Sequence, residues 1–362
     1  MQKTLAALLL LVLISAQPIS SFGQTFRPRS RVSPTTKAQT GKRLIELRVL
    51  VDEGGPLGGS HQWMQALAEV GADRLLSETS RVSQPSFEEY GTGSVKTLAI
   101  VGVVKQGKLH LPGGKFTIRQ TSAIRDHLQK LRDDGGEVTI AKKLAFGLTA
   151  KQLISVHDQL GVAIESTTAE KGVGQLATEL LTQSGYTISI DEATKQVISA
   201  AEANVDAELE GFSIGMGLAL SLRQMGLVFE PQRPQGGEIR LLVRKPDEQT
   251  KHWPVGWPIS ETRKELAPNL FIKVPVQAFD TPITDLLGAI ESRAKISFFY
   301  DRALISQAGI KLDETKVTFS RPGKKTSFDT VISKVLTQVK PKLKSEMKID
   351  EVGKPFLWIT TR

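Results

Sequence analysis

The chain has 362 residues, a formal net charge of +9 from 47 basic and 38 acidic side chains, and no cysteine. Cysteine-free chemistry excludes disulfides, thiolate nucleophiles, Cys-ligated zinc and N-terminal acylation as a lipoprotein. With 40% hydrophobic and 23% charged residues the composition is globular, and the length allows two or three domains.

The N-terminus places Lys3 before an apolar run from Leu5 to Ala16, the charge and length pattern of a secretory signal peptide. A permanent anchor needs about 20 apolar residues, so cleavage is expected, with no stable transmembrane span left afterwards. Ser21 and Gly23 fit the −3 and −1 positions of a cut before Gln24, and Ala16 offers an earlier one; residues 1–23 are read as the signal peptide. Residues 24–43, rich in Arg, Ser, Thr and Pro, read as a disordered tether.

Structure is expected from Leu44, where Leu44 to Val51 reads as a strand. The loop Gly54 to Gly59 then leads into a helix capped by Ser60 and carrying Trp63, Leu67 and Val70 on one face. An apolar strand over Val95 to Val104, a turn at Leu111-Pro112-Gly113-Gly114, a short strand over Lys115 to Ile118 and a helix over Ser122 to Leu131 complete a small α/β domain, 44–136.

From there the pattern occurs twice. In residues 137–245 a helix bears Leu176, Leu180 and Leu181, strands follow at Tyr186 to Ile190 and Val205 to Leu209, a helix runs from Ser213 to Gln224, and a hairpin uses Leu227 to Phe229 and Ile239 to Val243. In residues 269–362 strands at Leu270 to Val276, Ile296 to Tyr300 and Lys316 to Phe319 alternate with helices at Thr281 to Lys295 and after Thr326 or Ser327. Leu343 to Ile349 and Pro355 to Thr360 close this unit as a hairpin around Asp350 to Gly353. The expected fold class is α+β: an α/β domain followed by two βαββαββ-like modules.

Residues 246–268 separate the modules and contain Trp253-Pro254-Val255-Gly256-Trp257-Pro258, a proline-interrupted linker. Trp253 and Trp257 are either a stacking platform for a sugar or peptide or anchors that tack the linker to a domain.

Ile272 to Gln277, Leu286-Leu287 through Ser292, Phe298-Phe299-Tyr300-Asp301 and Phe328-Asp329 through Val335-Leu336 resemble the secretin and TonB short N-terminal domain family. The middle module is similar at Leu180 to Asp191 and at Leu218 through Leu227, with Ala193 to Asn204 and Leu304 to Thr315 read as insertions. The resemblance implies periplasmic or outer-membrane-associated modules that bind proteins or stack on one another, and it implies no chemistry.

Gly211-Phe212-Ser213-Ile214-Gly215 matches the G-x-S-x-G nucleophile elbow, which makes Ser213 the one catalytic candidate. An elbow should follow a buried parallel strand, whereas Asp206 to Glu210 alternates charged and apolar residues, and Ser213 equally suits a helix N-cap. The only later histidine is His252, beside Asp247 and Glu248. His61, His110, His127 and His157 are also scattered singly, without metal-ligand spacing. Glu88-Glu89 and Asp133-Asp134 read as loop acids, and the glycines at Gly54 to Gly59 and Gly91 to Gly93 lack phosphate-loop spacing, so no metal and no cofactor is expected.

Arg321, Lys324, Lys325, Lys334, Lys340, Lys342, Lys344 and Lys348 form a basic run that serves either anionic envelope material and acidic partners or plain solubility. Nucleic acid does not fit an exported chain. The functional expectation is an exported bacterial cell-envelope protein, not an enzyme, that makes contacts with a protein partner or with itself. The competing readings are a periplasmic serine hydrolase using Ser213 and a self-associating structural protein.

Overall fold

The computed structural model describes residues 42–51, 59–79, 84–91, 95–205, 207–247 and 249–362. The expected signal peptide, most of the tether, the loop Gly54 to Gly58, Asp206 and Glu248 lie outside them.

The N-terminal layer contains β1 (Lys42–Val51), α1 (Gly59–Leu67), β2 (Arg74–Thr79), β3 (Ser86–Tyr90), β4 (Val95–Lys105), β5 (Lys108–Leu111), β6 (Gly114–Thr117), α2 (Thr121–Asp134) and α3 (Gly136–Ile140). Strand order is β2-β1-β4-β5-β6, with β3 also on β4. β1 runs parallel to β2 and β4, in the register Ile45↔Leu98 and Leu47↔Ile100. That register puts Ile45, Leu47 and Val49 on the face covered by Trp63, Leu67, Ile124, Leu128 and Leu131, a dry core that supplies the hydrophobic driving force. The tether expectation is corrected at its end, because Lys42 already pairs with Val95 and belongs to β1. The strands β2 and β3 are short and rich in polar residues, and their place comes from pairing with β1 or β4; β5 is also short, and its Leu109 and Leu111 enter the core.

The middle unit follows as α4 (Ala150–Leu160), α5 (Val173–Gln183), β7 (Thr187–Ile190), α6 (Glu192–Ser199), α7 (Ile214–Gln224), β8 (Val228–Gln232) and β9 (Arg240–Arg244). Its sheet is β7-β9-β8, with β7 parallel and β8 antiparallel to β9. The C-terminal unit comprises β10 (Trp257–Pro258), α8 (Arg263–Leu266), β11 (Lys273–Val274), β12 (Gln277–Pro282), α9 (Ile283–Ala294), β13 (Ser297–Tyr300), α10 (Arg302–Gln307), β14 (Lys316–Ser320), β15 (Thr326–Ser327), α11 (Phe328–Leu336), β16 (Leu343–Ile349) and β17 (Pro355–Thr361). Its sheet is β10-β16-β17-β13, again with one parallel and one antiparallel neighbour of β17.

The two units therefore share the order helix, strand, helix, helix, hairpin and the same strand arrangement. Isolated bridges at Ala163↔Ser213 and Gly172↔Asn204 stand in the middle unit where β11 pairs β15 and β12 pairs β14 in the C-terminal one. The strand expected over Val205 to Leu209 is absent from the described residues there. The Val205 N–H still donates to the Lys171 carbonyl at 2.9 Å, and beyond it side chains pair: Glu208 accepts the N–H of Thr168 at 2.8 Å and that of Glu210 at 2.9 Å, and Thr168 Oγ1 accepts the Leu209 N–H at 2.8 Å. The segments read as insertions hold α6 and α10, each capped by an aspartate that ends the preceding strand. Leu270 to Val276 is a strand only at β11, because Pro268 opens a 3₁₀ turn that runs to Phe271.

Residues 246–268 are not a free linker. Trp253 and Val255 belong to the middle core, and Trp257 pairs with Ile349 as part of β10.

Candidate functional site

Most residues of α7 are buried, including every position from Ile214 to Leu222, because the helix lies inside the middle unit's core, which side chains of the C-terminal sheet also enter. The alternation of β13 and β17 explains this entry. Phe298, Leu357 and Ile359 face the C-terminal unit's own helices, while Phe299, Phe356 and Trp358 point to the opposite face and join the middle unit's core. Phe212, Phe299 and Phe356 meet edge to face with ring centroids 5.1–6.0 Å apart, the geometry that the ring quadrupoles favour.

Both ends of α7 carry charge from the C-terminal unit. At the N-terminus Ser213 has extended backbone and accepts the Met216 N–H on Oγ at 3.3 Å, an N-cap. Its own N–H donates to Asp350 Oδ2 at 3.0 Å, and its hydroxyl donates to Glu351. Trp253 Nε1 donates to the same Glu351 carboxylate at 2.6 Å, and Trp257 Nε1 approaches it at 3.4 Å. Two carboxylates thus sit at the positive end of the helix dipole. The turn that presents them is held by Asp350 Oδ1, which accepts the N–H groups of Val352 and Lys354 at 3.0 and 2.8 Å.

Gly215 makes this approach sterically feasible, since a Cβ there would lie 2.6 Å from Glu351 Oε1 and 3.0 Å from Leu160 Cβ. Gly211 has φ +75°, a left-handed conformation that suits glycine. Each element of the G-x-S-x-G pattern is thereby accounted for by packing.

At the other end Arg223 makes a bidentate bond to Asp301, at 2.9 and 2.7 Å. The Asp301 side chain is 1% exposed, caps α10 through the Leu304 N–H and accepts the Thr360 hydroxyl at 3.2 Å. Between the two ends, Lys348 stands over the Trp358 ring and donates to the Val255 carbonyl at 3.2 Å; burial lowers its pKa. Lys354 covers the Phe212 ring at 3.8 Å and donates to the Glu210 carbonyl.

The elbow reading of Ser213 finds no support in this geometry. Ser213 is 0% exposed, caps its own helix, and none of its hydrogen-bond partners is a histidine. His252, whose pKa is lowered by burial and then by Arg223, is not among the hydrogen-bond partners of Ser213.

The platform reading of Trp253 is corrected as well. The ring is 2% exposed and stacks against Phe229 and Phe146, each with centroids 5.9 Å away, so both faces are taken by protein. Trp257 is partly buried, edge-on to Trp253 and beside His157.

The basic run is one stretch in sequence and several places in space. Arg321, Lys324 and Lys325 are exposed on the loop between β14 and β15, and Lys342 is exposed before β16. Lys344 lies on the face of β16 that carries Lys348 and pairs with Glu346 at 2.7 Å. Among the described residues no group of three or more His, Asp and Glu could hold a metal ion, and no helix is long and apolar enough to cross a membrane.

Sequence reasoning missed the acids that matter most here. Asp350 and Glu351 read only as a hairpin turn, and Asp301 only as the end of a strand, because each partner lies 78 to 138 residues away. Comparison of the chain with protein-family models, curated proteins and solved structures finds no match among any of the three.

Proposed function

We propose that this chain is an exported bacterial cell-envelope protein that works as an interaction or assembly module, with its middle and C-terminal units acting as one rigid adaptor. The observation that carries the reading is the clamp on α7: a helix of one unit is buried on the sheet of the next, with carboxylates at its N-terminus and a bidentate ion pair at its C-terminal end. Buried charge of this kind is costly unless it is fully paired, and its best-attested use is to specify one arrangement. A fixed arrangement of two similar units presents one composite surface, which suits an adaptor. The motif that most suggested catalysis is consumed in building it.

The test is chemical crosslinking in envelope fractions with the chain as bait, beside a variant carrying Asp301→Ala and Glu351→Ala. A defined partner that the wild type captures and the loosened variant loses supports the adaptor. Equal capture by both, or no partner at all, sinks it. Fusion of residues 1–23 to a reporter active only outside the cytoplasm tests export separately.

A further inference from the structure

The C-terminal unit carries a second surface that the clamp does not use. Chain segments 273–282 and 316–327 form an irregular antiparallel ribbon, paired at Lys273↔Ser327 and Val274↔Thr326 and again at Gln277↔Ser320 and Ala278↔Phe319. Ala278, Val317, Phe319 and Thr326 point inward and are buried. The alternation sends Lys273, Pro275, Gln277 and Phe279 outward on one strand, and Lys316, Thr318 and Ser320 outward on the other. Between β14 and β15 the residues Arg321 to Lys325 are all exposed.

Two properties of this face stand together. Phe279 is 64% exposed, the highest value among the exposed large hydrophobics of the described residues, and it sits in a register break next to Asp280, whose φ is +46°. Ile272, 54% exposed, immediately precedes the ribbon. Around them are five cations, Lys273, Lys316, Arg321, Lys324 and Lys325, against one carboxylate, Asp280, which pairs with Lys316 at 2.7 Å. The other four cations are in no ion pair among the described residues. The neighbouring acids Asp313 and Glu314 face Arg302 and Lys311.

A soluble partner's acidic patch would match the charge and leave Phe279 without a role. An anionic bilayer surface matches both, because phosphate head groups attract the cations while an aromatic ring enters the boundary between head groups and acyl chains. The β14 edge is not open to an added strand, since the Gln338 side chain accepts the Thr318 N–H at 3.1 Å and donates to its carbonyl at 2.9 Å. We infer that the outward face of this ribbon binds the surface of an anionic phospholipid bilayer, with Phe279 as the inserted residue and Lys273, Arg321, Lys324 and Lys325 as the head-group contacts. This inference stands apart from the protein-contact reading, and either can fail alone.

The experiment is co-sedimentation of the chain begun at Gln24, which keeps all three hydrophobic cores, with vesicles of phosphatidylglycerol and phosphatidylcholine and with vesicles of phosphatidylcholine only. Binding is expected on the anionic vesicles alone and should weaken as salt rises. Arg321→Glu, Lys324→Glu and Lys325→Glu combined should lower the partition coefficient about 100-fold or more. Phe279→Ser should lower it about 10-fold and leave the salt dependence in place. Lys342→Glu, off the ribbon, should change it little. All four substituted positions of the ribbon are exposed, so unchanged thermal melting shows that the fold is intact. Equal binding to neutral vesicles, or binding that survives the triple reversal, overturns the inference, and so does retention of acidic proteins without vesicle binding.

Discussion

In the middle unit Asp191 ends β7 and caps α6; in the C-terminal unit Asp301 ends β13 and caps α10. The two positions are equivalent in register, since Ile190 pairs with Val243 as Tyr300 pairs with Ile359. Their surroundings differ. Asp191 stands at an exposed position, whereas Asp301 is buried under Arg223 and Thr360. The same contrast runs across the outward faces of the two sheets. Where β13 and β17 carry Phe299, Phe356 and Trp358, β7 and β9 carry Ser189, Arg240 and Leu242. Arg240 and Arg244 there bond locally, to Gln232 at 2.8 Å and to Glu230 at 3.4 Å. One backbone plan thus yields a polar sheet face in one copy and an aromatic seat for α7 in the other, and the choice lies in alternate side chains.

The sharpest way to break this comparison is to remove both aspartates in turn. Asp301→Ala leaves Arg223 without its partner in a part-buried site and deletes a cap, and is expected to cost about 3–5 kcal/mol. Asp191→Ala removes a cap alone, at an exposed site, and should cost much less. Urea unfolding of both variants checks the difference; equal losses would mean that the ion pair adds nothing to the cap.

Gly215 tests the other end of the clamp. Glycine to alanine inside a helix ordinarily stabilises by roughly 0.5–1 kcal/mol. Here the new Cβ would press on Glu351 Oε1, which Trp253 holds in place, and on Leu160, so Gly215→Ala should destabilise by about 1–3 kcal/mol. The equivalent second residue of α11 is Asp329, a full side chain that pairs with Arg263 at 3.0 Å. A stabilising Gly215→Ala, read from the urea midpoint, would remove the steric account of the motif.

Local features of this site were legible in the sequence and distant ones were not. Ser213 announces an N-cap ahead of an apolar helix, and Asp350 to Gly353 announces a turn, because capping and turn chemistry depend on residues a few positions apart. That the turn's acids reach α7 is a tertiary fact, with no periodicity to betray it. Phe299 and Phe356 looked like ordinary strand residues, since a strand buried on both faces reads as a continuous apolar run whichever neighbour covers it. Val205 to Leu209 misled for the opposite reason. Its alternation is that of a strand, yet only Val205 pairs through the backbone, and Leu209 and Glu210 are held by the side chains of Thr168 and Glu208.

A smaller effect separates the two serine caps. Ser327 accepts the Thr330 N–H at the start of α11 and touches no acid of another unit, so Ser327→Ala should cost about 1 kcal/mol. Ser213→Ala should cost about twice that, because Glu351 loses a buried donor as well. Identical unfolding free energies for the two variants would mean that the hydroxyl of Ser213 acts as a cap and nothing more.

The smallest expected effect concerns Glu208, which substitutes for a strand pairing in the middle unit. Burial alone would raise its pKa; hydrogen bonds from Thr167, from the N–H groups of Thr168 and Glu210 and from the Thr168 hydroxyl outweigh that and hold it at about 2, against an ordinary value of 4.5. A carboxyl whose folded pKa is depressed contributes its stability above the unfolded value and loses it as pH falls through the folded one. The contribution should therefore be complete above about pH 5 and decline towards pH 2. Glu208→Gln should lower the melting temperature at pH 6, and the gap to wild type should close as the pH approaches 2. The C-terminal unit makes the corresponding join with the β12–β14 backbone pairs, which do not titrate. A gap that stays constant from pH 6 to pH 2 would mean that the charge on Glu208 is irrelevant and that its shape alone holds the loop.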